Sequence, residues 1–587
     1  MGKGIYGTFW YRLRKNFEKR KEETLMLDMK QYGIIPFGAV PSERQLAHYE
    51  MKKAFFHFGV NTFTDMEWGN GEELEKLFDP TDMNVEQWIE TIKKAGFDLA
   101  IITAKHHDGF CLWPSKYTEH SVKNSPYKNG TGDVIREFTD ACRKFGVKAG
   151  VYLSPWDRNA PFWGTSDYSE YYAKQLTELV TEYGEIHEVW WDGAGSAETP
   201  YDWRLWASII RKHQPHACIF GSMGATPYVE MRWVGNENGT AGKTHYASID
   251  AKDLEVEERT FLNAGKIGGN RYIPSECDVS IRPGWFYHAK QDAQVKSVSR
   301  LNRLWFESVG RNSIMLLNFP PDKRGLICDI DANNAILSHG YITKMLSKNY
   351  LENATITADS ALCESLSAQN LVCDGEANFY AAAKNTAVID IVLEKPAVFN
   401  VFTASEVLEA GERVTEWKLE AVNGEEVTLL SKATSIGHLR ALRFPEGEYQ
   451  HLRVTILAAE DKPVLRSIAA YRFEDIDDED ALAERRNLMA SDLSNVEYSV
   501  DHKTATLSLG GIYPFNYISF SGRGKGKYEI SIFNGSRYES LTSGDLMRGR
   551  TCVKLENPIE DSYQIQVYCE TGFSSSNEFE IMIKDEP

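Results

Sequence analysis

Between about residue 50 and residue 320, short apolar runs alternate with stretches whose apolar positions recur three and four residues apart. AFFHFGV (54–60), FDLAIIT (97–103), VKAGVYLS (147–154), IHEVWWD (186–192), ACIFGS (217–222), MRWVGNE (231–237) and SIMLLNF (313–319) read as strands. NVEQWIETIKKAG (84–96), VIREFTDACRKFG (134–146), SEYYAKQLTELVTEYG (169–184), WRLWASIIRKH (203–213) and KSVSRLNRLWFESVG (296–310) read as helices. In the first helix Val85, Trp88, Ile89 and Ile92 share one face, and Gly96 closes it. Such alternation predicts parallel strands with helical crossovers. About eight such units in roughly 270 residues suit a closed barrel better than an open sheet. An open doubly wound sheet would favour a Gly-rich phosphate loop after the first strand, and the sequence has none there.

Beyond about residue 345 the period changes. AVIDIVL (387–393), AVFNVFTA (397–404), EEVTLL (425–430), HLRALRF (438–444) and HLRVTIL (451–457) are joined by Gly, Asp and Asn turns, and predict an antiparallel β-sandwich. The acidic stretch EDIDDEDALAERR (474–486) reads as a linker. KYEISIF (527–533), TCVKLEN (551–557) and YQIQVYC (563–569) then read as a second small β domain. The expected fold class is a multidomain α/β plus all-β protein, an N-terminal (β/α)8 TIM-like barrel followed by C-terminal antiparallel β-sandwich domains. The expected boundaries are a basic extension over 1–44, the barrel over 45–345, the sandwich over 346–475 and the second β domain over 476–587.

Composition narrows the function classes. A net charge of -19 repels phosphates and argues against nucleic-acid binding. Aromatics at 12%, with 14 Trp, serve either large cores or the stacking of sugar rings. Nine Cys are dispersed without a CxxC pair or zinc-ligand spacing, which predicts buried reduced thiols in a reducing compartment. The start, MGKGIYGTFWYRLRKNFEKRKEE, shows no signal peptide and reads as a solvated, partly helical extension. No run of about 18 apolar residues exists, so no membrane span is expected. The expected location is cytoplasmic, with export by another route left open.

In a barrel, residues at the C-terminal ends of strands converge on one mouth. His57 ends the first strand. AKHHDGF brings His106, His107 and Asp108; YLSPWDRN brings Tyr152, Trp156 and Asp157; WWDG brings Asp192. Glu237 lies near the sixth strand, and PSECDVSIRPGWFYH (274–288) adds Glu276, Arg282, Trp285 and His288. Carboxyl groups among histidines and aromatics suit glycoside cleavage, where one carboxylate attacks the anomeric carbon and another carboxyl protonates the leaving oxygen. Asp192 follows an apolar strand end and precedes small residues, so it is either an accessible nucleophile or the cap of the next helix. His106 and His107 are metal ligands, satisfied core histidines or partners of sugar hydroxyls.

FHFGVNTFTDMEWGNG (56–71), AKHHDGFCLWPSKYTEHSV (104–122), GVYLSPWD (150–157) and VWWDGAG (189–195) resemble the α-L-fucosidases of glycoside hydrolase family 29 over about residues 45–320. The resemblance implies a retaining exo-α-L-fucosidase acting by double displacement, with Asp192 as nucleophile. It implies that His57, Glu67, Trp68, His106, His107 and Tyr152 hold fucose. WVGNENG (233–239) and ECDVSIRPGWFYH (276–288) look like the branch acting on α-1,3 and α-1,4 fucose in Lewis-type glycans. In that branch the acid/base matches Glu237, with Glu276 as second choice. Trp156, Arg282 and Trp285 complete the expected substrate-binding set. Expected partners are fucosylated oligosaccharides or glycoconjugates, with no cofactor, metal or nucleic acid. The alternatives are a non-catalytic carbohydrate-binding protein and a metal-dependent barrel hydrolase.

Overall fold

The computed structural model describes residues 29–582 apart from 195–198, 222–223, 256–258, 374–377, 475–494, 500, 510–514, 522–524, 534–537, 547–550, 560–563 and 574–578. The basic stretch before Met29 and the linker from 475 lie outside the described residues. Two compact units divide the chain. The first ends at Asp475 and leaves out Asn236–Asn238; the second takes those three residues and Ile476–Pro587.

The first unit is built on eight parallel strands: β1 (Lys53–Phe56), β2 (Leu99–Lys105), β3 (Lys148–Leu153), β4 (Glu188–Trp190), β5 (Cys218–Phe220), β6 (Arg232–Trp233), β7 (Ser275–Ser280) and β8 (Ile314–Asn318). The spatial order is β5-β4-β3-β2-β1-β8-β7-β6, and a parallel bridge between Phe220 and Met231 closes the ring between β5 and β6. The predicted barrel is therefore present. Its strands are short, and side chains alternate between interior and helix-facing sides. Trp190 joins the interior cluster with Phe55, Tyr152 and Phe220, whereas Trp191 packs outward with Trp206 and Leu176.

Outside the ring the helices form as their periodicity predicts. Val85–Lys94 starts on Asn84, whose side chain accepts from Gln87 N–H, and buries Val85, Trp88, Ile89 and Ile92 against the strands. It ends before Gly96, whose φ of +75° favours glycine and whose missing Cβ admits His339. Val134–Phe145, Ser166–Glu182, Trp203–His213 and Val298–Glu307 follow the predicted ranges closely. Several helices were not foreseen; the longest, Asp329–Leu346, packs against Val298–Glu307 and Val85–Lys94.

The strand reading missed β7. SECDVS carries Ser, Glu and Asp where an apolar run was expected, yet all six residues are buried. This shifts Glu276 from a strand end to a strand start. Glu276 pairs in register with Ile314, the first residue of β8, and is fully buried. It meets Lys53 Nζ, which also donates to Glu188 at 2.6 Å, and it accepts Trp190 Nε1–H at 3.0 Å. His48, on the helix Glu43–Tyr49, approaches Glu188 at 3.3 Å from below. Lys53 thus bridges two buried carboxyl groups in the lower barrel, away from the strand ends.

Met29 and Ile34 are buried with Leu366, Phe379 and Val407, so the residues from Met29 onward pack on the β domain instead of standing in solvent. That domain is an antiparallel seven-stranded sheet. The runs at 387–393 and 397–404 are halves of one strand, Ala387–Glu406; those at 438–444 and 451–457 belong to Arg440–Ala459. Register shifts between Val392 and Ala397 and between Phe399 and Val401 bend the pair, and both halves line one core. Glu412 ties this domain to the barrel, accepting from Ala247 N–H, Ser248 N–H and Asn312 Nδ2. The second unit holds a five-stranded and a three-stranded antiparallel sheet around Leu507, Ile518, Phe520, Ile530, Ile565 and Val567. Five of the nine cysteines are buried; Cys328 and Cys363 are half-buried, and Cys373 and Cys552 are exposed. Among the described residues no helix is long and apolar enough to cross a membrane.

Candidate active site

The carboxylate of Asp192 stands two residues past the end of β4, with 28% of its side chain exposed. Alternation places it on the same side as Trp190, toward the barrel interior. Oδ2 accepts the Tyr152 hydroxyl at 3.0 Å, and Oδ1 accepts Ala194 N–H at 2.8 Å. Burial, and then the charge of Asp192, push the Tyr152 phenol well above its ordinary pKa, so it stays a donor. Trp190 stacks on Phe220 with ring centres 3.7 Å apart and on Tyr152 at 5.6 Å, which makes a rigid aromatic floor.

Three histidines surround this carboxylate. His57, one residue beyond β1, sends both its backbone N–H and Nδ1–H to Asn318 Oδ1, at 3.1 and 2.9 Å. The amide orientation is fixed, because Asn318 Nδ2 donates to the Trp285 carbonyl at 2.8 Å and to Ser280 Oγ at 2.9 Å. His57 therefore carries its proton on Nδ1 and offers Nε2 as an acceptor. His107 Nδ1 donates to Ser154 Oγ at 2.7 Å, since that hydroxyl gives its own proton to the Trp156 carbonyl. His107 Nε2 is then an acceptor 3.8 Å from Asp192 Oδ2. His106 stacks between its neighbours, 4.1 Å from the His107 ring and 5.7 Å from those of His57 and Tyr152. Burial lowers all three imidazoles, His57 to about 4, His106 well below its ordinary value and His107 below it. All three are neutral near pH 7, as partners of uncharged hydroxyls should be.

Aromatic rings complete the wall. Trp156 lies 5.0 Å from His107, and Trp68 stands edge-on to both, 5.5 Å from each ring, with 51% exposure. Trp285 lies 4.9 Å from His57. Glu67 reaches the same loop, accepting Trp285 N–H at 2.9 Å and Phe286 N–H at 3.3 Å. His57, Glu67, Trp68, His106, His107, Tyr152, Trp156, Asp192 and Trp285 thus form one continuous set of contacts.

Two expectations are corrected. Glu276 is enclosed below the Trp190 floor, where burial and the neighbouring Glu188 raise its carboxyl to about 7 against the opposing pull of Lys53. Arg282 is also buried: Nε and Nη2 grip Asp331 at 2.8 and 3.0 Å, and Nη1 holds Asp292 at 2.7 Å. Three of its five N–H groups are held by these carboxylates. Asp157 likewise caps its own loop and pairs with buried Lys105 at 2.8 Å. Glu237 is exposed, four residues beyond β6. Among the described residues no three His, Cys, Asp or Glu side chains converge as metal ligands.

Sequence reasoning missed Asn318 and Ser154, which set the histidine tautomers. Asn318 had a signal, being the one polar residue in SIMLLNF after Ser313. Ser154 had none beyond its place at a strand end.

The comparisons with known proteins agree with this geometry. The sequence model of the family described as alpha-L-fucosidase matches residues 34–344. Alpha-L-fucosidase 1 of Arabidopsis thaliana is 38% identical over 74% of this chain and 88% of its own. A glycoside hydrolase 29 family member from an unknown rumen bacterium superposes with a TM-score of 0.70 at 33% identity, over 94% of this chain and all of its own. A Ruminococcus gnavus GH29 fucosidase solved in complex with fucose superposes at 0.69 and 30% identity, over 75% of this chain and 96% of its own. By its barrel, its sequence and its solved relatives, the chain belongs to the α-L-fucosidases of glycoside hydrolase family 29.

Proposed function

We propose that this α-L-fucosidase is a retaining exo-enzyme that removes terminal α-1,3- and α-1,4-linked fucose from Lewis-type glycans, with Asp192 as nucleophile and Glu237 as acid/base. The observation that carries the proposal is the Asp192 carboxylate. It is partly open, accepts hydrogen bonds from Tyr152 and Ala194, and is ringed by neutral histidines and tryptophans.

In this reading, fucose hydroxyls donate to the free Nε2 atoms of His57 and His107, with His106 and Tyr152 behind them. Glu67, Trp68, Trp156 and Trp285 bound the pocket. Asp192 attacks C1 and forms a covalent fucosyl-enzyme while Glu237 protonates the departing oxygen; Glu237 then takes a proton from the water that attacks C1. Retention needs the two carboxyl groups about 5–5.5 Å apart during turnover. Glu237 is preferred because Glu276 is sealed in the lower barrel. The linkage preference is supported by WVGNENG and ECDVSIRPGWFYH. The cytoplasm is the proposed location, supported by nine cysteines carried as thiols.

The test compares fucose release from Lewis trisaccharides, 2'-fucosyllactose and an aryl fucoside, with NMR of the first-formed anomer. Release of α-fucose first, and faster release from the Lewis substrates, is expected. First release of the β-anomer would end the retaining assignment; equal rates on 2'-fucosyllactose would end the linkage assignment.

A further inference from the structure

Beyond the residues that face the sugar, one buried histidine joins two loops of the mouth. His288 lies at the end of the loop after β7, and its ring nitrogens both meet carboxylates. Nδ1 lies 2.6 Å from Asp65 Oδ1, and Nε2 lies 2.6 Å from Glu67 Oε1. A carboxylate only accepts, so two such contacts require a proton on each nitrogen. His288 is an imidazolium held between two anions.

The same Glu67 carboxylate receives the backbone N–H groups of Trp285 and Phe286. Gly284 packs so closely that a Cβ there would come within 2.3 Å of Glu67 Oε1. Gln291 closes the turn, accepting Gly284 N–H at 3.0 Å and donating its own N–H to the His288 carbonyl at 2.9 Å. Asp65 adopts a left-handed φ of +61°, uncommon for a residue with a side chain. The strained turn aims its carboxylate at His288. The charged groups facing the imidazole are Asp65 and Glu67, from the loop after β1; Lys290 on its own loop and Lys323 act on Asp65.

We infer that His288 is a positioning residue: as an imidazolium it clamps the loop carrying Glu67 and Trp68 to the loop carrying Trp285, and so keeps the fucose pocket closed to its binding width. The clamp acts on substrate affinity, not on the chemical step, because neither Asp192 nor its donors touch it. The bond to Glu67, opposed by burial, raises the His288 pKa above the ordinary histidine value. The clamp is thus closed below that raised value, as long as Asp65 and Glu67 are ionised, and opens as pH rises through it.

The inference rests on the reading that Trp285 and Glu67 wall the pocket, so the experiment includes Trp285→Ala. KM and kcat for 4-nitrophenyl α-L-fucoside would be followed against pH in wild type, His288→Gln and Asp65→Asn, with the His288 imidazole followed by NMR. Wild type should show an imidazole protonated on both nitrogens, and a KM that rises roughly tenfold as it titrates while kcat changes less. His288→Gln should have the high KM at every pH. Asp65→Asn, an exposed change that leaves Glu67 untouched, should move the KM rise to lower pH. Identical KM profiles in wild type and Asp65→Asn would overturn the clamp, even if His288→Gln failed to fold. If Trp285→Ala left KM unchanged, the pocket reading would fall and the inference with it. If Trp285→Ala raised KM while the other two variants did not, only the clamp would fall.

Discussion

The Tyr152 hydroxyl donates to Asp192 Oδ2 at 3.0 Å, tying the end of β3 to the carboxylate beyond β4. Tyr152 is fully buried and stacked on Trp190, which fixes the direction of its hydroxyl. Replacing it by Phe keeps the ring and removes one hydrogen bond to the Asp192 carboxyl group. A fall in kcat/KM of about 10- to 100-fold is expected. Asp192→Asn should lose turnover on the order of 10⁴-fold or more while still binding fucose. Wild-type rates in Asp192→Asn on an aryl fucoside would remove it as nucleophile.

The two glutamates separate by leaving-group dependence. Glu237→Ala should slow poor leaving groups far more than activated ones, and azide should rescue it. Glu276→Gln should slow all substrates alike, because its effect passes through the barrel floor. Steep leaving-group dependence in Glu276→Gln would reverse the assignment.

Glu276 also predicts a stability signature. Its carboxyl is raised from 4.5 to about 7 by burial and by Glu188. A raised acid favours the folded state fully below its unfolded value, and that contribution is lost as pH climbs through the folded one. Wild type should lose stability from this group as pH rises from 4.5 through 7. Glu276→Gln mimics the protonated acid and should flatten the loss, read as Tm against pH. Parallel Tm profiles would show that Glu276 does not titrate there.

His57 titrates in the opposite sense. Burial lowers it to about 4, so the neutral ring with Nε2 as acceptor persists down to that pH. Below it, Nε2 becomes a donor and can no longer accept from a sugar hydroxyl. Affinity for fucose, measured by inhibition, should fall as pH drops through about 4. Asn318→Leu, which frees the tautomer, should weaken binding already at neutral pH.

Arg282 belongs to the structure. Its buried guanidinium depends on Asp331, which is also fully buried. Asp331→Ala leaves that charge short of its bidentate partner and should cost about 3–5 kcal/mol in unfolding free energy. A loss below about 1 kcal/mol would mean the guanidinium is solvated and available to a ligand.

The barrel was legible because its signal is local. Val85, Trp88, Ile89 and Ile92 mark a helix face wherever that helix lies, and WW followed by Asp marks a strand end. The nucleophile candidate and the histidines came with those ends. β7 was illegible because a strand lining this barrel can carry Ser, Glu and Asp when the tertiary structure supplies their partners. Glu276 is accommodated by Lys53, 223 residues away in sequence, and by the Trp190 indole N–H. The same separation hid Arg282's engagement with Asp331, the Asn318–His57 bond and the His288 clamp. Most strands and helices of the barrel followed from local periodicity, which acts over a few residues. The pairing of each polar group was decided only when the chain closed, because a charge or imidazole takes its role from partners brought close by folding.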